Sequence, residues 1–180
     1  MRTAILMAAL LAGTPAAAQT AADEDFDPKS VRIEDAIACK LDVRTYNGFA
    51  FWLAGTEDGA RQLGWAKIEG PDPLLSEYRL PAPVEAFGHR ADHIAFSSSA
   101  VVAVLDGVDA ETLAAGLAVP NMIPDRSKFR GERELTKRIE RDDDLKMPFT
   151  YVTALTISTV DSHPGATLAG CSYRAQEGDR

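Results

Sequence analysis

The chain has 180 residues, of which 46% are hydrophobic and 26% charged, with a formal net charge of −8. One domain of this length has enough apolar material for a core without several disulfides or a structural metal. Its acidic balance argues against non-specific binding to nucleic acid or anionic lipid, and leaves protein partners and small ligands in play.

Residues 1–18, MRTAILMAALLAGTPAAA, have the layout of a cleaved secretory signal. An early charge at Arg2 precedes an apolar run over Ala4–Ala12, and Ala16 and Ala18 form an A-x-A site before Gln19. The run is far shorter than the roughly 20 residues a membrane-spanning helix needs. Export to the periplasm or the medium is therefore expected, with cleavage near Ala18 and Gln19 and no membrane anchor. No cysteine lies near that point, which argues against lipid attachment there. The signal and composition resemble those of exported proteins of Gram-negative bacteria, a likeness of class and not of family. Residues 19–29 read as a flexible acidic leader, 30–175 as a single globular domain and 176–180 as a polar tail.

Cys39 and Cys171 are the only two cysteines. In an oxidising compartment an even pair is most simply a disulfide, which requires Cα atoms within about 7 Å. Such a bridge would join the start of the domain to its last strand. Two buried free thiols are the alternative, and a catalytic thiol is disfavoured because neither cysteine sits in a C-x-x-C context.

In chain order, Ser30 reads as a helix N-cap, with Ile33, Ile37 and Leu41 following at a spacing of four and Cys39 on a flank. Over residues 43–55 two readings compete. Val43, Tyr46, Ala50 and Leu53 repeat at helical spacing before Gly55, whereas Asn47-Gly48 is a hairpin signal. The helix is favoured. Phe49, Phe51 and Trp52 cannot share one narrow face, so Phe51 and Trp52 are candidate binding residues, with ordinary core as the competing reading.

Strands follow. Trp65–Ile68 is a short candidate, Gly70–Pro73 a turn, and Glu77–Phe87 a strand of which Pro81 and Pro83 demote part to an edge. Gly88–Ala91 reads as a turn, and Ile94–Leu105 as one long strand bent at Ser97-Ser98-Ser99. Asp109 caps a helix that ends before Pro120. Phe129–Ile139, Phe149–Val160 and Thr167–Tyr173 form a three-strand meander with turns at Asp142–Asp144 and Asp161–Gly165. The expected fold is α+β: a mainly antiparallel sheet of about five strands carrying two or three helices.

Three histidines hold most of the candidate chemistry. His89 and His93 would make an i,i+4 metal pair on a helix, but the turn expected there breaks that geometry. His163, in the Asp161–Gly165 turn, is a candidate general base, as is His89 beside a nearby acid. Ser97-Ser98-Ser99 lacks the G-x-S-x-G and S-x-x-K settings of a serine nucleophile. Asp142-Asp143-Asp144 lacks the continuation of an EF-hand loop. Arg126, Lys128, Arg130, Arg133, Lys137, Arg138 and Arg141 alternate with Glu132, Glu134 and Glu140, which reads as cross-strand ion pairing on an exposed face, with a docking surface for an acidic partner as the alternative. No phosphate loop, H-E-x-x-H or paired zinc-ligand motif is present, and no cofactor is implied.

These observations favour an exported protein that binds an envelope protein or a small ligand without catalysis of its own. An envelope hydrolase centred on His163 or His89, and a metal-handling protein using His89 and His93, are the alternatives.

Overall fold

Alternating apolar residues dominate the chain after residue 65, and they assemble into one sheet. A computed structural model describes residues 26–124, 127–142 and 146–178. The expected signal segment and its cleavage point lie outside them, as do Arg126 of the basic stretch and Asp143 and Asp144 of the acidic run. Among the described residues there are four α-helices: α1 (Ile33–Ile37), α2 (Val43–Gly55), α3 (Gly59–Gln62) and α4 (Ala110–Gly116). The strands are β1 (Ala66–Ile68), β2 (Ser76–Ala86), β3 (His89–Phe96), β4 (Ala100–Asp106), β5 (Arg130–Asp142), β6 (Met147–Ser158) and β7 (Ala166–Glu177). They form a seven-stranded antiparallel sheet in the order β1-β2-β3-β4-β7-β6-β5. The expected α+β class and the C-terminal meander are both present. Among the described residues, no helix is long and apolar enough to cross a membrane.

Seven strands replace the expected five or so, and four helices the expected two or three. The run Ile94–Leu105 is two strands, because Ser97–Ser99 folds back as a hairpin that pairs Phe96 with Val101. Both strands are buried on both faces there, so no polar alternation marks the break. The expected turn at Gly88–Ala91 is shorter, since β3 already begins at His89. The helix α3 lies between α2 and the first strand, where no element was expected, and β7 extends into the expected polar tail. Pro81 and Pro83 sit where the β2–β3 register shifts, beyond the residues that pair with β1.

The helices cover one face of the sheet. Ile37, Tyr46, Phe49 and Leu53 pack there on Tyr78, Ile94, Phe96, Leu155 and Tyr173. The helix α2 follows the favoured reading, capped by the Asp42 carboxylate on the amides of Arg44 and Thr45. The chain before it departs from the expected longer helix: Ser30 lies in a 3-10 turn at Pro28–Ser30, and α1 stops at Ile37. A Schellman arrangement makes that stop, with Lys40 N–H donating to the Asp35 carbonyl and Cys39 N–H to that of Ala36. Cys39 takes the left-handed position at φ 59°. From there it is disulfide-bonded to Cys171 in β7, with the Cα atoms 5.1 Å apart. The opposite face carries a smaller cluster, Ala95, Val102, Val104, Ala166 and Leu168, covered by Leu75 and Val160 from two connecting loops.

Candidate metal centre

Those two loops enclose a polar group. Glu77 follows Ser76 at the start of β2, and the two-residue period of the strand turns it away from Tyr78 and the helical core. It pairs with Ala95 of β3, so His93, two residues earlier in β3, lies on the same face as its diagonal neighbour. The Nε2 atom of His93 is 2.7 Å from Glu77 Oε2.

His163 comes from the β6–β7 connection, 86 residues along the chain, and its Nε2 is 3.1 Å from the same oxygen. That connection is held in place from several sides. Phe129 N–H donates to the Thr159 hydroxyl, Gly107 N–H to the Gly165 carbonyl, and the Thr167 hydroxyl to the Val108 carbonyl. Lys128 pairs with Asp161 at its rim. The other ring nitrogen of His163, Nδ1, is 3.0 Å from Ser162 Oγ.

The carboxylate is 1% exposed, the His163 side chain 8% and the His93 side chain 15%, so His93 is the side open to solvent. Glu77 Oε1 is buried and has no hydrogen-bond partner among the described residues. It lies against Gly70, where any β-carbon would overlap it. Burying a carboxylate costs several kcal/mol unless positive charge or hydrogen bonds compensate it. Here the two imidazoles supply the compensation, and both converge on one oxygen. One ligand atom from each of Glu77, His93 and His163 falls within 4.8 Å of the others.

Two imidazole nitrogens and a carboxylate oxygen suit zinc and its divalent transition-metal neighbours. Calcium and magnesium prefer all-oxygen sets. A metal-ligating histidine normally has its second nitrogen held by a hydrogen bond, a role the Ser162 hydroxyl fits.

The structure thus brings together two of the three histidines singled out in the sequence, with Glu77 as a partner that sequence reading missed. His89 is not part of the group. It opens β3, and four strand residues place it about 13 Å along the strand from His93. The i,i+4 pairing fails for a different reason from the one expected: His89 and His93 sit on a strand, not in a turn. His163 is part-buried, its side chain 8% exposed, because its connection folds onto the sheet instead of projecting from it.

Phe51 and Trp52 part company on α2. Phe51 is 76% exposed, whereas Trp52 packs against the core beside Phe49. Ser97, Ser98 and Ser99 form the turn of the β3–β4 hairpin. The basic residues of β5 stand on an edge strand, and its acids take part in ion pairs such as Arg174–Glu132 and Arg44–Glu140. No family model, curated protein or solved structure matches the chain.

Proposed function

We propose that this chain is an exported binding protein whose site takes a divalent transition-metal ion, zinc foremost, through Glu77, His93 and His163. The observation that carries this reading is the convergence of two imidazoles on one buried carboxylate that keeps an unpartnered oxygen. Its charge and ligand types fit a dication, which would replace the proton-mediated contacts within the group. The disulfide is in keeping with an oxidising compartment. The test is calorimetric titration of Zn²⁺ into untagged protein spanning residues 19–180. One ion per chain is expected, with no heat from Ca²⁺. His93→Ala and His163→Ala should each weaken binding by more than roughly a hundredfold, beyond the usual cost of losing an outer-sphere partner. His89→Ala should leave it unchanged. Absence of binding, or equal weakening by His89→Ala, would overturn the reading.

A second reading follows from Ser162. Its hydroxyl, His163 and Glu77 stand in line at 3.0 and 3.1 Å, the order of nucleophile, base and orienting acid. Ser162 also lines a surface depression with Asp72, Lys128 and Asp161. Acyl transfer makes no use of His93 on the same carboxylate oxygen, whereas a ligand set does, and the metal reading ranks first for that reason. Hydrolysis of an activated ester that disappears in Ser162→Ala would favour the second.

A further inference from the structure

On the helical face, away from Glu77, a groove of about 430 Å³ runs between α2 and the β1–β2 connection. Tyr78 and Phe96 are among its walls, Ser97 and Ser98 contribute hydroxyls from the β3–β4 hairpin, and Phe51 and Leu74 also line it. These last two are the most exposed large apolar residues described, at 76% and 81%. No charged residue is among the groove's described lining, in a chain of which 26% is charged.

Both exposed side chains are fixed by local structure. The buried stripe of α2 runs through Val43, Tyr46, Phe49 and Leu53, which turns Phe51 off the core. Leu74 follows Pro71-Asp72-Pro73, and the Asp72 side chain accepts from its amide at 2.9 Å while the Asp72 carbonyl accepts from Leu75 at 3.1 Å. An aspartate-closed turn between two prolines has little freedom to fold Leu74 inward. Preorganised apolar groups of this kind lose little entropy on binding.

We propose that this groove binds an uncharged, mainly hydrocarbon small molecule, with its one polar end at Ser97 and Ser98. Its volume lies in the range of small-ligand pockets, roughly 300–1,000 Å³, and its polar lining residues, among them Asn47, Ser76, Ser97 and Ser98, are all uncharged. A charged ligand would surrender hydration here without an opposite charge to meet it. This site is independent of the metal reading and stands or falls without it.

The test uses the neutral fluorophore N-phenyl-1-naphthylamine and its anionic relative 1-anilinonaphthalene-8-sulfonate, titrated into residues 19–180. One saturable site is expected, with the neutral probe favoured by roughly tenfold or more. Phe51→Asp and Leu74→Asp should each weaken it by at least about tenfold, since each puts a charge in the apolar site. Phe51→Ala guards against misfolding and should weaken it too. Met122→Asp, at an exposed apolar position outside the groove's lining, should change nothing. No saturable binding, a preference for the anion, or indifference to Phe51 and Leu74 would overturn the proposal. So would self-association dispersed by Phe51→Asp in sedimentation, which would make the groove a contact between copies.

Discussion

Gly70 and Glu77 share a space that admits no β-carbon: a side chain at 70 would overlap the buried carboxylate. The glycine here serves a close approach, with no positive φ to explain it. Replacing Gly70 by Ala should push the carboxylate from its place between His93 and His163. The expected cost is about 1–3 kcal/mol of stability, the range for overpacking a tight site. Zinc affinity should fall along with it. Urea unfolding and a zinc titration of the same variant would check both, and a variant with unchanged affinity would show that the carboxylate has room to move.

Asp42 predicts a pH dependence. Burial raises its pKa, but bonds from the Thr45 hydroxyl and amide and the Arg44 amide outweigh burial and hold it below its usual value. A depressed folded pKa means that the cap's ionic contribution is fully present above the unfolded value. It is then lost as pH falls through the folded one. Asp42→Ala should therefore cost about 1 kcal/mol at pH 7, the usual worth of an N-cap, and less once the pH has dropped below the carboxylate range. Thermal unfolding of both proteins at neutral and strongly acidic pH would reveal a gap that narrows on acidification.

The disulfide between Cys39 and Cys171 has a sequence separation of 132 residues and ties the end of α1 to β7. Replacing both cysteines by Ser should remove about 2–5 kcal/mol, measured as a lowered urea midpoint. Glu77, His93 and His163 sit on the other face of the sheet and involve neither cysteine. Zinc should therefore raise the melting temperature of the cysteine-free variant as much as that of the parent. A variant that no longer responds to zinc would mean that the two faces are coupled.

What could be read from the sequence divides along physical lines. The helix α2 and the Asp109 cap are local, set by periodicity and a side-chain oxygen beside its own amides. The disulfide followed from parity and compartment. The Ser97–Ser99 hairpin was hidden because β3 and β4, both central strands, are apolar on both faces where they flank it. His163 was recognisable as a candidate, but its burial was not. Nothing near residue 163 says that its connection folds onto Glu77, 86 residues away. Glu77 itself was the least legible, since an acid in a strand is ordinarily solvent-facing. Only the covering loops at 69–75 and 159–165 make it buried, and they are tertiary features.

The most direct measurement is the zinc K-edge X-ray absorption spectrum of the metal-loaded protein. The expected spectrum has a shell of two imidazole nitrogens at about 2.0–2.1 Å, with the outer scattering of the rings, and oxygen at about 2.0–2.2 Å. Glu77→Gln should weaken loading, and His163→Ala should remove one ring from the spectrum. A shell of oxygens alone, as around a hydrated ion, or the same two rings in His163→Ala, would contradict it.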